Sequence, residues 1–156
     1  MGIQAVTPYR DLIESVAGGH GLDPDLVEAI VIAESSGHTD AFRFEPGFYR
    51  RYLEGKPEYA NQNPRRVSSS YGLMQVMYTT AQQYGFSDNP EALFVPMTGL
   101  QYGCLHLRRL LAWSKGDARK AAAGYNGGQG NWNGTDPQRY ASKVMKLRDT
   151  VKAAHA

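Results

Sequence analysis

The chain has 156 residues, enough for one domain with a real hydrophobic core, and 156 residues are read as that single domain. Its formal net charge is +2, with acids and bases interspersed and only short basic runs at Arg50-Arg51, Arg65-Arg66 and Arg108-Arg109. This argues against a nucleic-acid partner, which wants a clustered basic face, and is compatible with an anionic polymer. No stretch reaches the roughly 18 consecutive apolar residues of a membrane span, so no membrane insertion is expected. Cys104 is the only cysteine and falls in an apolar helix pattern, so it reads as a core residue with no internal disulfide. The four histidines (His20, His38, His106, His155) lack metal-ligand spacing, and no metal site is expected.

The start, Met1-Gly2-Ile3-Gln4-Ala5-Val6-Thr7-Pro8, has no charged residue followed by an apolar run, so no signal peptide is expected. Thr7-Pro8 opens a first helix with an apolar stripe of Tyr9, Leu12, Ile13 and Val16, ended by Gly18-Gly19. A second helix has both ends marked: Asp23 as N-cap, Pro24 at the first helical position and Gly37 as a left-handed stop. Val27, Ile30, Val31 and Glu34 fall at i, i+3, i+4 and i+7, on one face that is otherwise apolar. A carboxyl there loses hydration and faces the negative pole of its helix, and both effects favour the protonated form. A neutral carboxylic acid near neutral pH is what general-acid chemistry requires. The bland alternative is a glutamate emerging into water at a helix end.

Phe42 to Tyr52 reads as an aromatic loop entering a short helix at Pro46, and residues 55 to 70 as polar loop closing on Ser68-Ser69-Ser70. Thr79 or Thr80 caps a short helix stopped by Gly85, and Thr98 caps a longer one carrying Leu100, Cys104, Leu107 and Leu111. Asp117 caps another through Ala121-Ala122-Ala123 to Tyr125. A Gly- and Asn-rich loop, Gly127 to Gly134, precedes a last helix opened by Asp136-Pro137 and carrying Tyr140, Val144, Leu147 and Val151. There is almost no period-2 alternation, no internal repeat and no dividing linker, so the expected class is mainly α.

Four local patterns occur in order: Glu34-Ser35, Ser70-Tyr71-Gly72-Leu73-Met74-Gln75-Val76-Met77, Gly124-Tyr125-Asn126-Gly127-Gly128, and Arg139-Tyr140. Together they resemble the lytic transglycosylase domain of the soluble murein transglycosylase type, a relative of goose-type lysozyme, from about Tyr9 to Val151. The resemblance implies a helical, lysozyme-like fold with a groove for peptidoglycan glycan strands, no cofactor, and a monomer. It implies Glu34 as catalytic acid and base, with Ser70, Gln75, Met77, Tyr125, Asn126 and Tyr140 around the sugar. It also implies cleavage between N-acetylmuramic acid and N-acetylglucosamine with a 1,6-anhydro product.

The residue types make sense by themselves. Gln75 and Asn126 can pair with N-acetyl groups, Tyr125 and Tyr140 offer flat faces and a hydroxyl to orient the acid, and Gly72 and Gly127-Gly128 allow close backbone approach. Structural readings stand beside these: Met77 and Leu73 as core, Gln75 as a helix-end cap, Tyr140 as core beside Val144. Phe44-Glu45-Pro46, eleven residues after Glu34, departs from the simplest family pattern and resembles a segment of phage N-acetylmuramidases. Glu45 is either a second catalytic carboxylate, making a hydrolytic muramidase possible, or a charge at a helix N-terminus. Gly124 stands where the family usually has Ala, a change expected to widen the cleft floor, and His38 reads as surface. A non-catalytic glycan-binding or phage tail module stays open as a third reading. The absence of an export signal points to a phage endolysin or virion component, made in the host cytoplasm and acting at the wall, or to an excised domain.

Overall fold

In the computed structural model, residues 7–156 are described; the reading of the leaderless start rests largely on Met1–Val6, which lie outside them. Helix α1 (Arg10–Gly19) buries Ile13, Val16 and Ala17, with Tyr9 and Leu12 packed at the edge of the core. Helix α2 (Pro24–Ser35) starts as its sequence dictates: Pro24 sits in the first turn and the Asp23 carboxylate accepts the Asp25 N–H at 2.9 Å. Every residue from Leu26 to Ile32 is buried, so α2 is a central helix rather than an amphipathic one. Its stop is shared: Ser36 enters the left-handed region at φ 53° before Gly37 does at φ 81°.

The chain is mainly helical, as expected, and adds a small sheet that no alternation announced. Strands β1 (Phe42–Phe44), β2 (Ser69–Tyr71) and β3 (Val76–Met77) form an antiparallel sheet in that order, with Phe42 opposite Tyr71 and Ser70 opposite Met77. Strands of two or three residues are too short to show alternation, and β2 buries serines that carry no hydrophobic signal. The Ser69 hydroxyl donates to the Arg65 carbonyl, and that of Ser68, just before the strand, to the Glu45 carbonyl at 2.9 Å.

The short helix expected at Pro46 is present, and the residues on either side of it are more ordered than loop. After β1, α3 (Pro46–Phe48) runs into a π-helical turn at Tyr49–Leu53, followed by a 3₁₀ turn at Pro57–Tyr59 and α4 (Pro64–Val67). Helices α5 (Tyr78–Gln83), α6 (Pro96–Trp113), α7 (Ala118–Gly127) and α8 (Thr135–Ala154) complete the described chain. Three of the expected caps shift. β3 passes straight into α5 at Met77, so Thr79 and Thr80 lie inside the helix. Val95, extended before Pro96, opens α6 ahead of Thr98, and Gly134 precedes α8 ahead of Asp136. Asp117 does cap α7, accepting the Lys120 N–H at 3.0 Å.

One core unites these helices, with Leu100, Cys104, Leu107, Val144, Leu147 and Val151 in it and Leu111 at its margin. Burial pushes the Cys104 thiol up to about 12. No described helix is long and apolar enough to cross a membrane.

A buried carboxylate fastens the two ends of the described chain to α2. Glu28 is wholly inaccessible, and four donors surround it: Thr7 N–H and Thr7 Oγ1, both at 2.8 Å, Arg10 Nη1 at 3.1 Å and His155 Nε2 at 2.9 Å. Removing one partner of such a buried network strands the others, so Glu28→Ala is expected to cost about 3–5 kcal/mol. Urea unfolding at neutral pH measures it; a loss under 1 kcal/mol would refute the role given to this cluster.

Candidate active site

Glu34 occupies the last turn of α2 and is partly buried. The Tyr140 hydroxyl, from α8, donates to Glu34 Oε2 at 2.7 Å across 106 residues of sequence. Burial raises the Glu34 pKa to about 7; the Tyr140 hydrogen bond and the Arg43 and Lys143 charges oppose that rise, and the Glu45 charge adds to it. The carboxyl therefore keeps a proton well above the usual carboxylate range, up to near neutral pH. Tyr140 and Tyr125 are both pushed well above the usual phenol range, by burial first and by the Glu34 charge next, so both remain donors.

Around this acid lies a turn built from 72 to 75. Gly72, at φ 76°, lies against the Leu93 carbonyl, and a Cβ there would stand 2.6 Å from that oxygen. Gln75 is held at φ 49°, an uncommon conformation for a residue with a side chain. Its Nε2 donates to the carbonyls of Ala41 at 3.0 Å and Gly72 at 3.1 Å. Ser35 Oγ donates to the Leu73 carbonyl at 2.8 Å, and Tyr125 Oη to that of Met74 at 2.6 Å. Three side chains from three parts of the chain thus hold this turn beside the end of α2.

This ordered set matches the family model described as the transglycosylase SLT domain over residues 11–147. The chain belongs to that family. A transglycosylase of Enterobacteria phage PRD1 is 31% identical over 142 residues, covering 88% of this chain and 42% of the phage protein. The chain thus spans under half the length of that relative. The lytic transglycosylase Slt of Pseudomonas aeruginosa superposes with a TM-score of 0.72 at 18% identity, over 96% of this chain and 25% of that one. The 70 kDa soluble lytic transglycosylase of Escherichia coli gives 0.72 at 18%, over 95% and 24%. The lysozyme-like helical architecture is thereby shown.

Within this SLT domain the residues singled out from sequence take different places. Glu34 and Tyr140 meet directly. Tyr125 lies near enough for the Glu34 charge to act on it, but its hydroxyl orients Met74 rather than the acid, and its ring packs 5.4 Å from His106. Ser70 sits in the middle strand, almost buried, and Met77 is half-buried opposite it. Asn126 is exposed at the end of α7. Gln75 spends its amide N–H groups on the chain itself, closer to the capping alternative. Glu45 lies at the N-terminus of α3 with Oε1 3.2 Å from Arg43 Nε.

The glycines need a correction. A Cβ at Gly124 would press on Trp113 and Leu110 at 3.0 and 3.2 Å, so its smallness lets α7 approach α6 and does not widen a cleft. Gly127 similarly makes room for Pro137, and Gly72 for the Leu93 carbonyl, rather than for a ligand.

Sequence reasoning missed Ser35 as a tether and the cations Arg43 and Lys143. Lys143 had a signal, since it follows Tyr140 by three residues on the same face of α8. Among the described residues, no group of three or more His, Cys, Asp or Glu is placed to hold a metal ion. His38 is exposed, as expected.

The raised pKa of Glu34 has a stability consequence. The folded chain binds this proton more tightly than the unfolded one, so the benefit is complete below about pH 4.5 and is lost as pH rises to about 7. Glu34→Gln, which cannot ionise, is expected to gain roughly 3 kcal/mol on the wild type between pH 4.5 and pH 8, from the span between the two pKa values. Paired urea melts across that interval measure the difference; parallel pH profiles would contradict the burial of this acid.

Proposed function

We propose that this chain cleaves the β-1,4 bond between N-acetylmuramic acid and N-acetylglucosamine in peptidoglycan, as a lytic transglycosylase with Glu34 as acid and then base. The observation that carries the reading is the partly buried Glu34 carboxyl, protonated up to about pH 7 and aimed by the Tyr140 hydroxyl at 2.7 Å.

In the first step Glu34 gives its proton to the bridging oxygen, and the C1–O bond breaks. The N-acetyl oxygen of the muramic acid shares the positive charge that develops at C1. In the second step the Glu34 carboxylate takes the proton of the sugar's own 6-hydroxyl as O6 bonds to C1. A 1,6-anhydro end results, no water is consumed, and Glu34 is protonated again. Arg43 and Lys143 would steady the carboxylate between the steps, and Tyr140 would keep one of its oxygens fixed. Ser70, Gln75, Met77, Tyr125, Asn126 and Tyr140 are proposed as the glycan-facing group, with the oxygen of the Gln75 amide and the exposed Asn126 amide offered to N-acetyl groups. The likeness to a phage transglycosylase supports action on a host wall by a phage enzyme.

A hydrolytic reading rests on Glu45, whose charge reaches Glu34 and so shares its surroundings. The Arg43 guanidinium, 3.2 Å from it, favours the one-carboxylate route, because it occupies a Glu45 oxygen that would otherwise have to hold the attacking water. Mass spectrometry of digested murein separates the two: anhydro-muramic ends are expected, and reducing ends in their place would transfer the reaction to a muramidase.

Glu34→Gln is expected to lower the rate of fragment release at least about a thousandfold, from removal of both proton transfers. Wall lysis at the wild-type rate would end the catalytic assignment of Glu34, whereas a wild type that binds murein without releasing fragments would favour a non-catalytic binding module. For the wild type, kcat/KM should be level more than about a unit below pH 7, bend near pH 7 and fall about tenfold per unit well above it. Tyr140→Phe removes a bond that lowers the Glu34 pKa, so this alkaline limb should move to higher pH while kcat falls. A pH–rate profile identical to that of the wild type would remove Tyr140 from the mechanism.

A further inference from the structure

A recess of about 600 Å³ opens between the segment after Glu45 and α5, and Glu34 does not line it. One wall carries Phe48, Tyr52 and Lys56, and the other carries Thr79, Gln82 and Gln83. One wall follows Glu45, whose charge reaches Glu34, and the other follows Met77, proposed above to face the glycan. Glu45 precedes α3 at Pro46, and Met77 precedes α5 at Tyr78.

The local backbone is unusual where the aromatic wall is made. The turn Tyr49–Leu53 is π-helical, closed by the Glu54 N–H on the Tyr49 carbonyl at 2.8 Å. Such turns are rare and are frequent at functional sites. Here it sets the Phe48 and Tyr52 rings 4.8 Å apart, while the Arg51 guanidinium lies 5.3 Å from the centre of the Tyr52 ring. The Tyr52 side chain is thereby held in place although it is 46% exposed. An aromatic surface kept rigid in water is an unusual use of a large side chain and marks a place where something docks.

The chemistry of the recess selects a ligand class. Lys56 and Glu58 offset one another, leaving it without a dominant charge, and the facing wall offers neutral amides and a hydroxyl. Among the described residues, the side-chain amides of Gln82 and Gln83 have no hydrogen-bond partner and are exposed. A flat apolar platform opposite neutral donors and acceptors suits a pyranose ring better than a charged peptide. The volume falls in the roughly 300–1,000 Å³ range of small-ligand sites.

We infer that this recess is a distal saccharide site, in which Phe48 and Tyr52 stack on an N-acetylhexosamine unit of the strand whose scissile bond lies at Glu34, and Gln82 and Gln83 bond its hydroxyl and amide groups. The inference rests on the glycan-strand reading above and extends it: a strand engaged at both places is bound more tightly than a short fragment.

The test uses peptide-free murein glycan strands as the probe, with Glu34→Gln as the uncleaving carrier followed by NMR. Shifts are expected at Tyr52, Phe48 and the Gln82 and Gln83 amides, together with those around residue 34. Kinetically, Tyr52→Ala and, on the other wall, Gln83→Ala should each raise KM on long strands about three- to tenfold, the scale of one stacking or hydrogen-bonding contact. KM on fragments too short to reach both places should not follow. Gln83 is exposed on α5, so its variant keeps the test valid if Tyr52→Ala disturbs the π-turn. Shifts confined to the residue 34 region, with unaltered KM on long strands, would overturn the distal site and leave the proposed reaction standing. Shifts at Tyr52 with a free stem tetrapeptide, but not with the bare strand, would overturn the saccharide assignment. No shift anywhere, with a wild type that releases no fragments, would instead bring down the proposed function beneath it.

Discussion

Helix α2 can end in a proton-holding carboxyl only because α8 lies across it. Leu26 to Ile32 give α2 no solvent face, so the helix must be enclosed, and α8 does so with Ala141, Val144 and Leu147. That packing delivers Tyr140 to Glu34 and strips water from the carboxyl at once. The desolvation that raises its pKa and the hydrogen bond that tempers it come from one contact. The same α8 brings Lys143 within electrostatic reach, so acid, orienting hydroxyl and nearby cation depend on a single helix–helix interface.

The two glutamates of this helix lie among very different partners. Glu28, one turn and a half earlier, is also buried, but it meets donors on both oxygens from Thr7, Arg10 and His155. Glu34 accepts one neutral hydroxyl, on Oε2. Burial alone does not make a catalytic acid; the number and charge of the donors around it decide whether the group is a clamp or a reagent.

The small sheet and the turn at 72–75 form the other side of the site, and their order is bought with polar side chains rather than apolar area. Ser35, Gln75 and Tyr125 each bond a main-chain carbonyl in or beside this turn. Gln75 accepts a left-handed backbone in the process, and Gly72 lets the turn touch the Leu93 carbonyl. A turn held in this way has little freedom to relax.

Much of this was legible along the chain. Periodicity and punctuation locate α1, α2, α6, α7 and α8, because each is long enough for a 3.6-residue stripe to repeat, and Asp23 and Asp117 mark true caps through contacts within three residues. The apolar face ending in Glu34 is local information too, and the ordered patterns around it suffice to recognise the family. The strands escaped notice because two or three residues cannot establish a period, and buried serines look polar until their partners are known. The direction in which Gly124 faces, the diversion of the Tyr125 hydroxyl to Met74, the fourfold coordination of Glu28 and the pairing of Tyr140 with Glu34 all join residues distant in sequence. Local rules determine which segments coil and which side chains share a face; only the packing of those faces decides which carboxyl loses its water and which hydroxyl reaches it.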